Sequence, residues 1–565
     1  MTVAGIDAFG AEILRSYLVS TVREMVVTTT RTAYSTCFAH GEDFTCALLD
    51  ADGRMIAQDQ GVPVHAGSLG HAVRHILDEL GEVAEGDVYV LNDPYNGGTH
   101  QADGLVCRPI FAADRLLGFA ANRGHWSDIG GMAPGGWSGA ATDVVQEGLL
   151  IPAVRLVRAG TVQDDIRRLL LRNVRLPTQL WGDISAQIAS NIVAERRLRA
   201  LVDRHGVAGY EAAAEAALTY SRRRFEAGLE ALPDATASAT GVIEDDATGA
   251  GPYEIKVRVE KAGGKVRVDF TGTSPQVSGP VNSTLATTRA AVVAALIAVV
   301  DPDVPLNHSV LECIEIDAPL GSLVNPVFPA PTFGATADPS DRVNETLLEA
   351  LAQFAPERVP AGSYATGNNV TGGGIDAGGR PFLWYSYQSG GCGARPDKDG
   401  NAAEWHLMAN SKNESMEVWE TRYPVEFLSY RLVPDSGGAG RWRGGLGTER
   451  RLRVTAPTRL SGTADGHRRG PRGADGGEAG MPNRFLIARG GQEERPIEEV
   501  FGLPSRGKFA NLPLEPGDVF VSRQGGGGGF GDPRERPAEA VGEDVRAGYV
   551  SRPRAKENYG WEDGA

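Results

Sequence analysis

Residues 164 to 231 carry helical periodicity with no strand pattern between them, in runs such as "ISAQIASNIVAERRLRALVDRHG" and "YEAAAEAALTYSRRRFEAGLEAL". Strand patterns gather elsewhere, most densely from 440 to 530, where short apolar runs alternate with glycine turns. A chain that segregates helices from strands in this way does not read as an alternating, doubly wound sheet. The predicted class is α+β, a large multi-lobed mixed fold. With 565 residues and about 150 residues per domain, the expected divisions are a metal-site and helical region to 232, a central α/β region at 233–440, a β-rich region at 441–535 and a tail at 536–565.

Composition narrows the function. Asp and Glu number 72 against 56 Lys and Arg, a net charge of −16, which disfavours nucleic acid and anionic membranes because both need a basic footprint. The five cysteines form no CxxC pair, so a disulfide framework is not expected and the compartment reads as reducing. The N-terminus has no secretory pattern, and the longest apolar run, Ala290 to Val300, has 11 residues where a bilayer needs about 20. A cytoplasmic location is expected. The 73 glycines follow no three-residue period, which excludes collagen. "QGGGGGFGDP", Gln524 to Pro533, lacks GxxxxGK[ST] and reads as a structural turn cluster, and no P-loop occurs elsewhere. Without a GxSxG elbow, a serine nucleophile has no support.

The N-terminal third carries the chemistry. A helix is predicted over 7–30, with Phe9, Ile13 and Tyr17, then Leu14, Leu18, Val22 and Met25, at three- and four-residue steps. "DFTCALLDADGRMIAQDQ" predicts a hairpin turning at Asp52-Gly53. Ser68 is the expected cap of the next helix. "DVYVLND" and "RLLGFAANRGH" predict strands feeding two glycine-rich loops, one with His100 and Asp103, the other with His125 and Asp128. Two residues separate His100 from Asp103 and 21 separate Asp103 from His125. Imidazole and carboxylate together suit Zn²⁺, Mn²⁺ or Fe²⁺, and Glu42 and Asp43, just before a strand, are available as a fourth ligand. His71 and His75 share a helix face, but opposite the apolar stripe of Leu69, Val73, Ile76 and Leu80, so a solvated face is expected. His65 lies in the turn before that helix, within reach of a pocket. Residues 325 to 400, rich in Pro, Gly and Asn, read as site or interface loops. "YEIKVRVEKAGGKVRVDFTG" predicts a second hairpin, Ala290 to Val300 a buried helix, and the last 30 residues a weak one.

Seven stretches, in order, resemble the hydantoinase B family: "DFTCALLDADGRMIAQ", "NDPYNGGTHQADGLVCRPIF", "NRGHWSDIGGMAPGG", "QEGLLIPAVRL", "DFTGTSPQVSGPVNS", "DSGGAGRWRGGLGTER" and "QGGGGGFGDPRERPAEAVGEDVRAG". The family includes the B subunits of ATP-dependent N-methylhydantoinase and caprolactamase, the C-terminal half of 5-oxoprolinase, and related acetone and acetophenone carboxylase subunits. The resemblance implies one divalent metal, zinc or manganese, held by Glu42, His100, Asp103 and His125, with Asp43 the fallback for Glu42. It implies that ATP is used by a separate A subunit with an actin-like fold, in an (αβ)2 assembly, and that this chain completes the opening of a cyclic amide. Asp128 is then a candidate to orient His125, and His65, Arg395 and Asn410 are candidates for substrate or partner contact. A ketone carboxylase subunit, or a metal-stabilised scaffold without chemistry of its own, are the alternatives.

Overall fold

The computed structural model describes residues 8–59 and 61–562. The first helix, Ala8–Thr32, is the predicted one; residue 7 and the Phe9 side chain lie outside the described residues. Leu14, Leu18, Val22 and Met25 are its buried face, while Ile13 is exposed.

Seven strands follow in one sheet: β1 (Phe44–Asp50), β2 (Met55–Gln58), β3 (Val88–Leu91), β4 (Asp103–Ala112), β5 (Arg115–His125), β6 (Val154–Arg158) and β7 (Thr161–Val162). Their spatial order is β2-β1-β5-β4-β3-β6-β7, and every pairing is antiparallel. Both faces are covered. Leu48, Val106 and Ala120 pack toward the helices Ala8–Thr32 and Pro177–Glu230, while Leu49, Cys107 and Phe119 pack on Ser68–Leu80. Cover on both sides is why every residue of β1 is buried and why Cys46, Ala47, Leu48 and Leu49 run on as apolar residues instead of alternating. The long helix is two helices broken at Gly206, whose φ of 70° and ψ of 169° are open to glycine at little cost. Ser68 is not the cap expected of it: Gly67 holds that position at φ 71°, and the Ser68 hydroxyl donates to His65 O and accepts from Arg123 Nη1.

The second sheet contains β8 (Ala235–Ile243), β9 (Tyr253–Ala262), β10 (Lys265–Asp269) and β11 (Ile314–Asp317), in the order β11-β10-β9-β8. Two helices, Leu285–Val300 and Asp338–Leu351, join its core through residues such as Ala291, Val343 and Leu347. The second helix falls inside the stretch expected to be loops. Asp338, Asp341, Arg342 and Glu345 interrupt its apolar stripe in sequence, yet both aspartates are buried.

The remaining strands are β12 (Asn369–Ile375), β13 (Pro381–Ser386), β14 (Val425–Leu432), β15 (Thr448–Val454), β16 (Thr458–Thr463), β17 (Arg484–Ala488), β18 (Arg495–Pro496), β19 (Phe509–Leu514) and β20 (Val519–Arg523). They form two sheets, β13-β12-β16-β19 and β14-β15-β20-β17-β18. Strands on both sides of residue 440 therefore share the same sheets. Helices Ala538–Ala547 and Arg552–Tyr559 close the chain.

The glycine run is not a cluster of turns. Of Gly525 to Gly531 only Gly531 has positive φ, and the run threads as an extended rod between four other segments. Successive amides of Gly526, Gly527, Gly528 and Gly529 donate to the carbonyls of Met481, Gly445, Gly362 and Glu478. Carbonyls of Gly525, Gly527, Gly528 and Gly529 accept from Gly391, Gly438, Ala394 and Ala474. The partner direction returns to the same neighbouring segment after three residues, as in a threefold extended helix. A Cβ at Gly527 would stand 1.8 Å from Cys392 O, and one at Gly528 1.9 Å from Arg472 O.

Candidate metal centre

Strand register builds the site. In the β4–β5 hairpin Asp103 lies directly opposite His125. On the other side of β5, Phe44 of β1 faces Gly124, and the His125 amide donates to Asp43 O at 3.0 Å. Asp43, His125 and Asp103 thus form a row across the ends of three neighbouring strands. His100 arrives from the loop after β3. Asn92 staples that loop: its Nδ2 donates to Gln101 O and Leu149 O, and its Oδ1 accepts from Ile151 N. Gly97 is required here, with φ 90° and a Cβ position 2.8 Å from Ala72 N.

One ligand atom each from His100, Asp103 and His125 lie within 4.8 Å of one another, and all three residues are buried. His100 Nε2 is 3.2 Å and His125 Nδ1 3.6 Å from Asp103 Oδ1. Ligand atoms around a tetrahedral zinc at about 2.0–2.1 Å are about 3.3 Å apart, so the spacing fits a divalent ion. Asp103 Oδ2 accepts from Thr99 Oγ1 and lies 3.1 Å from His65 Nε2. His65 is itself fully buried, with Nδ1 3.1 Å from Thr45 Oγ1. Burial pushes the Asp103 carboxyl up, but the imidazoles of His100 and His65 outweigh it and hold it well below the usual carboxylate range. Burial pushes Asp43 up to about 6 against the pull of His125. His100 Nδ1 and His125 Nε2 have no hydrogen-bond partner among the described residues, and unpartnered buried polar atoms point to an ion or ligand. Arg123 is a buried cation nearby, bonded through Nη1 to Ser68 and through neither Nε nor Nη2 to any described residue.

Aromatic rings fix the imidazoles. Tyr385 stacks on His125 at 4.5 Å and Phe333 meets His100 edge-on at 4.8 Å. Glu147 holds Phe333 in place by accepting from the amides of Thr332 and Phe333. The trio opens on a cavity of about 50 Å³ whose other walls include Asp43, Tyr387, His406 and Asn369.

Several residues singled out by sequence lie elsewhere. Glu42 sits one residue beyond the row, at φ 52°, and its carboxylate binds Lys412 Nζ at 2.7 Å; the register gives the place beside His125 to Asp43 instead. Asp128 does not orient His125: its carboxylate accepts from the backbone amide and the Nη1 of Arg175. Arg395 is exposed and 3.9 Å from Asp397, away from the cavity lining. Asn410 is exposed, between Ala409 and Ser411, which line the cavity. His75 faces Glu79 at 3.6 Å, while His71 is half-buried in a separate groove with Arg289 and Phe328, so only part of that helix face is solvated. Tyr385, Tyr387 and His406 escaped sequence reading because they lie more than 250 residues downstream of the His/Asp motifs. The alternation in "PFLWYSYQ" does place both tyrosines on one strand face.

No described helix is long and apolar enough to cross a membrane. The beta subunit of caprolactamase from Pseudomonas jessenii is 33% identical over 98% of this chain and 96% of its own length. The B-type subunit of a putative D-/L-hydantoinase from a Pseudomonas species is 31% identical over 98% of this chain and 95% of its own. The crystal structure of the ATP-dependent caprolactamase superposes with a TM-score of 0.91 over 99% of this chain and 97% of that one, at 31% identity. A nucleotide-free acetone carboxylase shares the fold, with a TM-score of 0.90 at 21% identity, over 99% of this chain and 80% of that one. The Hydantoinase B/oxoprolinase pattern matches residues 7–533, so the chain belongs to the hydantoinase B/oxoprolinase family.

Proposed function

We propose that this chain is the metal-bearing subunit of an ATP-dependent cyclic-amide hydrolase and opens the ring of a substrate activated by an A-type ATPase partner. The observation that carries this reading is the buried cluster of His100, Asp103 and His125 facing a small cavity. Its relatives supply the reaction class, since caprolactamase and hydantoinase subunits match over nearly their whole lengths.

His100, Asp103 and His125 would hold the ion, zinc or manganese, with Asp43 as the fourth ligand. When bound, the metal supplies Lewis-acid polarisation and water of lowered pKa. The chain's own residues do the rest. His65 and Thr99 fix the Asp103 carboxylate, so that its charge is already oriented before an ion arrives. Tyr385 and Phe333 lock the two imidazole planes and keep bulk water from their faces. A cavity of about 50 Å³ admits only a few water-sized groups, which favours attack by a single positioned water on the reacting carbonyl while the rest of the ring reaches in from the rim.

The test is reconstitution. The chain copurified with its ATPase partner should release ADP in the presence of a cyclic amide and form the ring-opened product, and Asp103→Asn should abolish both product and bound metal. Ring opening by this chain alone, or by an Asp103→Asn complex, sinks the reading. Incorporation of labelled bicarbonate into a ketone, without amide hydrolysis, would assign the carboxylase reaction instead.

A further inference from the structure

The metal-ligand candidates occupy one wall of the cavity, and a second histidine occupies another. His406 comes from the segment between β13 and the helix Met416–Arg422. Its Nδ1 stands 2.8 Å from Asp341 Oδ1, with the two side chains 4% and 1% exposed. The contact is close without being linear, and neither Asp341 oxygen has a hydrogen-bond partner among the described residues, so His406 is the group placed to compensate this buried carboxylate. The Met408 amide also donates to this nitrogen, at 3.3 Å, but a carboxylate oxygen 2.8 Å from an imidazole nitrogen needs a proton between the two, and that shorter, charged contact decides the tautomer. A carboxylate acceptor fixes the proton on Nδ1 and leaves the lone pair on Nε2. Nε2 is buried and has no hydrogen-bond partner among the described residues, and His406 lines the same cavity as His100, Asp103 and His125. Asp341 is itself set firmly, in the first turn of the buried helix Asp338–Leu351. Tyr364 meets the imidazole edge-on at 5.2 Å.

We propose that His406, oriented by Asp341, is the proton-transfer residue of this cavity: Nε2 takes a proton from the attacking water and delivers it to the departing ring nitrogen. The assignment rests on the hydrolase reading above. In the net step the water oxygen joins the carbonyl carbon, the ring C–N bond breaks, and the bonding pair stays on nitrogen. The water proton passes through Nε2 to that nitrogen. Ring opening consumes one water and leaves no charge or electron over, while ATP hydrolysis on the partner consumes a second water and releases ADP and phosphate. Asp341 touches no reacting atom; it holds the tautomer and stabilises the transient imidazolium, which makes it a positioning residue.

The experiment uses the reconstituted complex with hydantoin, ε-caprolactam and 5-oxoproline as probes. His406→Gln should lower kcat by about 10²- to 10⁴-fold, the usual contribution of general acid–base catalysis, with metal content and KM unchanged. The acid limb of the wild-type pH profile should vanish in His406→Gln and persist, shifted, in Asp341→Asn. Charged and titratable groups around the pair are Asp338, Arg342 and Glu345 on the same helix as Asp341, Tyr364 against the imidazole, and Tyr387, Asp43, His65, His100, Asp103 and His125 around the cavity. None of these is altered by the two substitutions, so the limb tracks the pair. Because a lone buried Asp341 threatens folding, the double variant Asp341→Asn/His406→Gln, which buries no charge, should melt near wild type and show the same loss of kcat. Added imidazole should restore part of the activity of His406→Ala.

A folded, metal-replete His406→Gln complex with less than a tenfold loss, below the range for general acid–base catalysis, overturns the assignment. Retention of the acid limb, or loss of metal from that variant, overturns it as well. A wild-type complex inactive on every probe overturns the hydrolase reading and this assignment together, whereas an active wild type with an unaffected variant overturns this assignment alone.

Discussion

The glycine rod at 525–529 and the cavity around His125 are both buried, and they use hydrogen bonding in opposite ways. In the rod the backbone is bonded outward in several directions and side chains are excluded altogether. In the cavity the side chains are present and their capacity is left open: Nε2 of His125 and His406, Nδ1 of His100 and the Tyr387 hydroxyl have no hydrogen-bond partner among the described residues. Buried polar groups are expensive when unsatisfied, so several of them converging on one cavity mark it as a place for a ligand. The rod spends its hydrogen bonds on the fold, and the cavity keeps side-chain capacity for what binds there.

The comparison breaks first, and hardest, at the rod. Gly527→Ala puts a methyl 1.8 Å from Cys392 O and 2.2 Å from Cys392 C, both backbone atoms that no rotamer change can move aside. The expected outcome is no cooperatively folded protein, measured by soluble yield and thermal melting. Gly490→Ala is the control: with φ 57° and open space around it, it should lose only about 1–2 kcal/mol of stability. Equal melting of the two variants would mean that the rod is not rigid.

Next in size is the division between Asp43 and Glu42. His125→Ala and Asp43→Ala should lose bound metal by more than the roughly 100-fold seen when a group that merely orients a ligand is removed. Glu42→Ala should retain metal and lose at most about 1 kcal/mol of stability, the value of a partly exposed pair such as Glu42–Lys412. Elemental analysis after dialysis separates them; metal loss from Glu42→Ala with retention in Asp43→Ala would reverse the assignment.

A smaller effect is expected at Glu147, where burial raises the carboxyl from 4.5 to about 8 against the two amides it accepts from. The folded state therefore holds this proton where the unfolded chain releases it. Its contribution is fully present below pH 4.5 and is lost as pH rises through about 8. The slope is at most about 1.4 kcal/mol per pH unit. Glu147→Gln, neutral throughout, should flatten that part of the profile of melting temperature against pH; an unchanged slope refutes it. The smallest effect belongs to His71→Gln with His75→Gln, which should leave metal content at the wild-type level.

Much of this architecture was legible because the local signals agreed. Asp52-Gly53 announced its hairpin, and Leu14, Leu18, Val22 and Met25 announced the first buried face. His100, Asp103 and His125 stood out by residue type and spacing. Whether Glu42 or Asp43 faces the site was not legible, because it depends on the register of β1 against β5, and a one-residue slip exchanges the two faces. The helix Asp338–Leu351 was hidden because its polar residues are buried by contacts from distant segments, as Asp341 is by His406. Asp128 looked like a partner of His125 from proximity in sequence, and Arg175 takes it instead.

The glycine rod also governs how the protein can be made. Its partners come from residues 362, 391–394, 438–445 and 474–481, all synthesised before it. Contacts of such long sequence separation form slowly. A chain emerging from the ribosome holds those segments with amides and carbonyls unpaired until Gly525 to Gly529 arrive to thread them. Unpaired backbone of this kind is a template for another chain. A nascent chain stalled just short of Gly525 is therefore the species most exposed to capturing the glycine run of a neighbour.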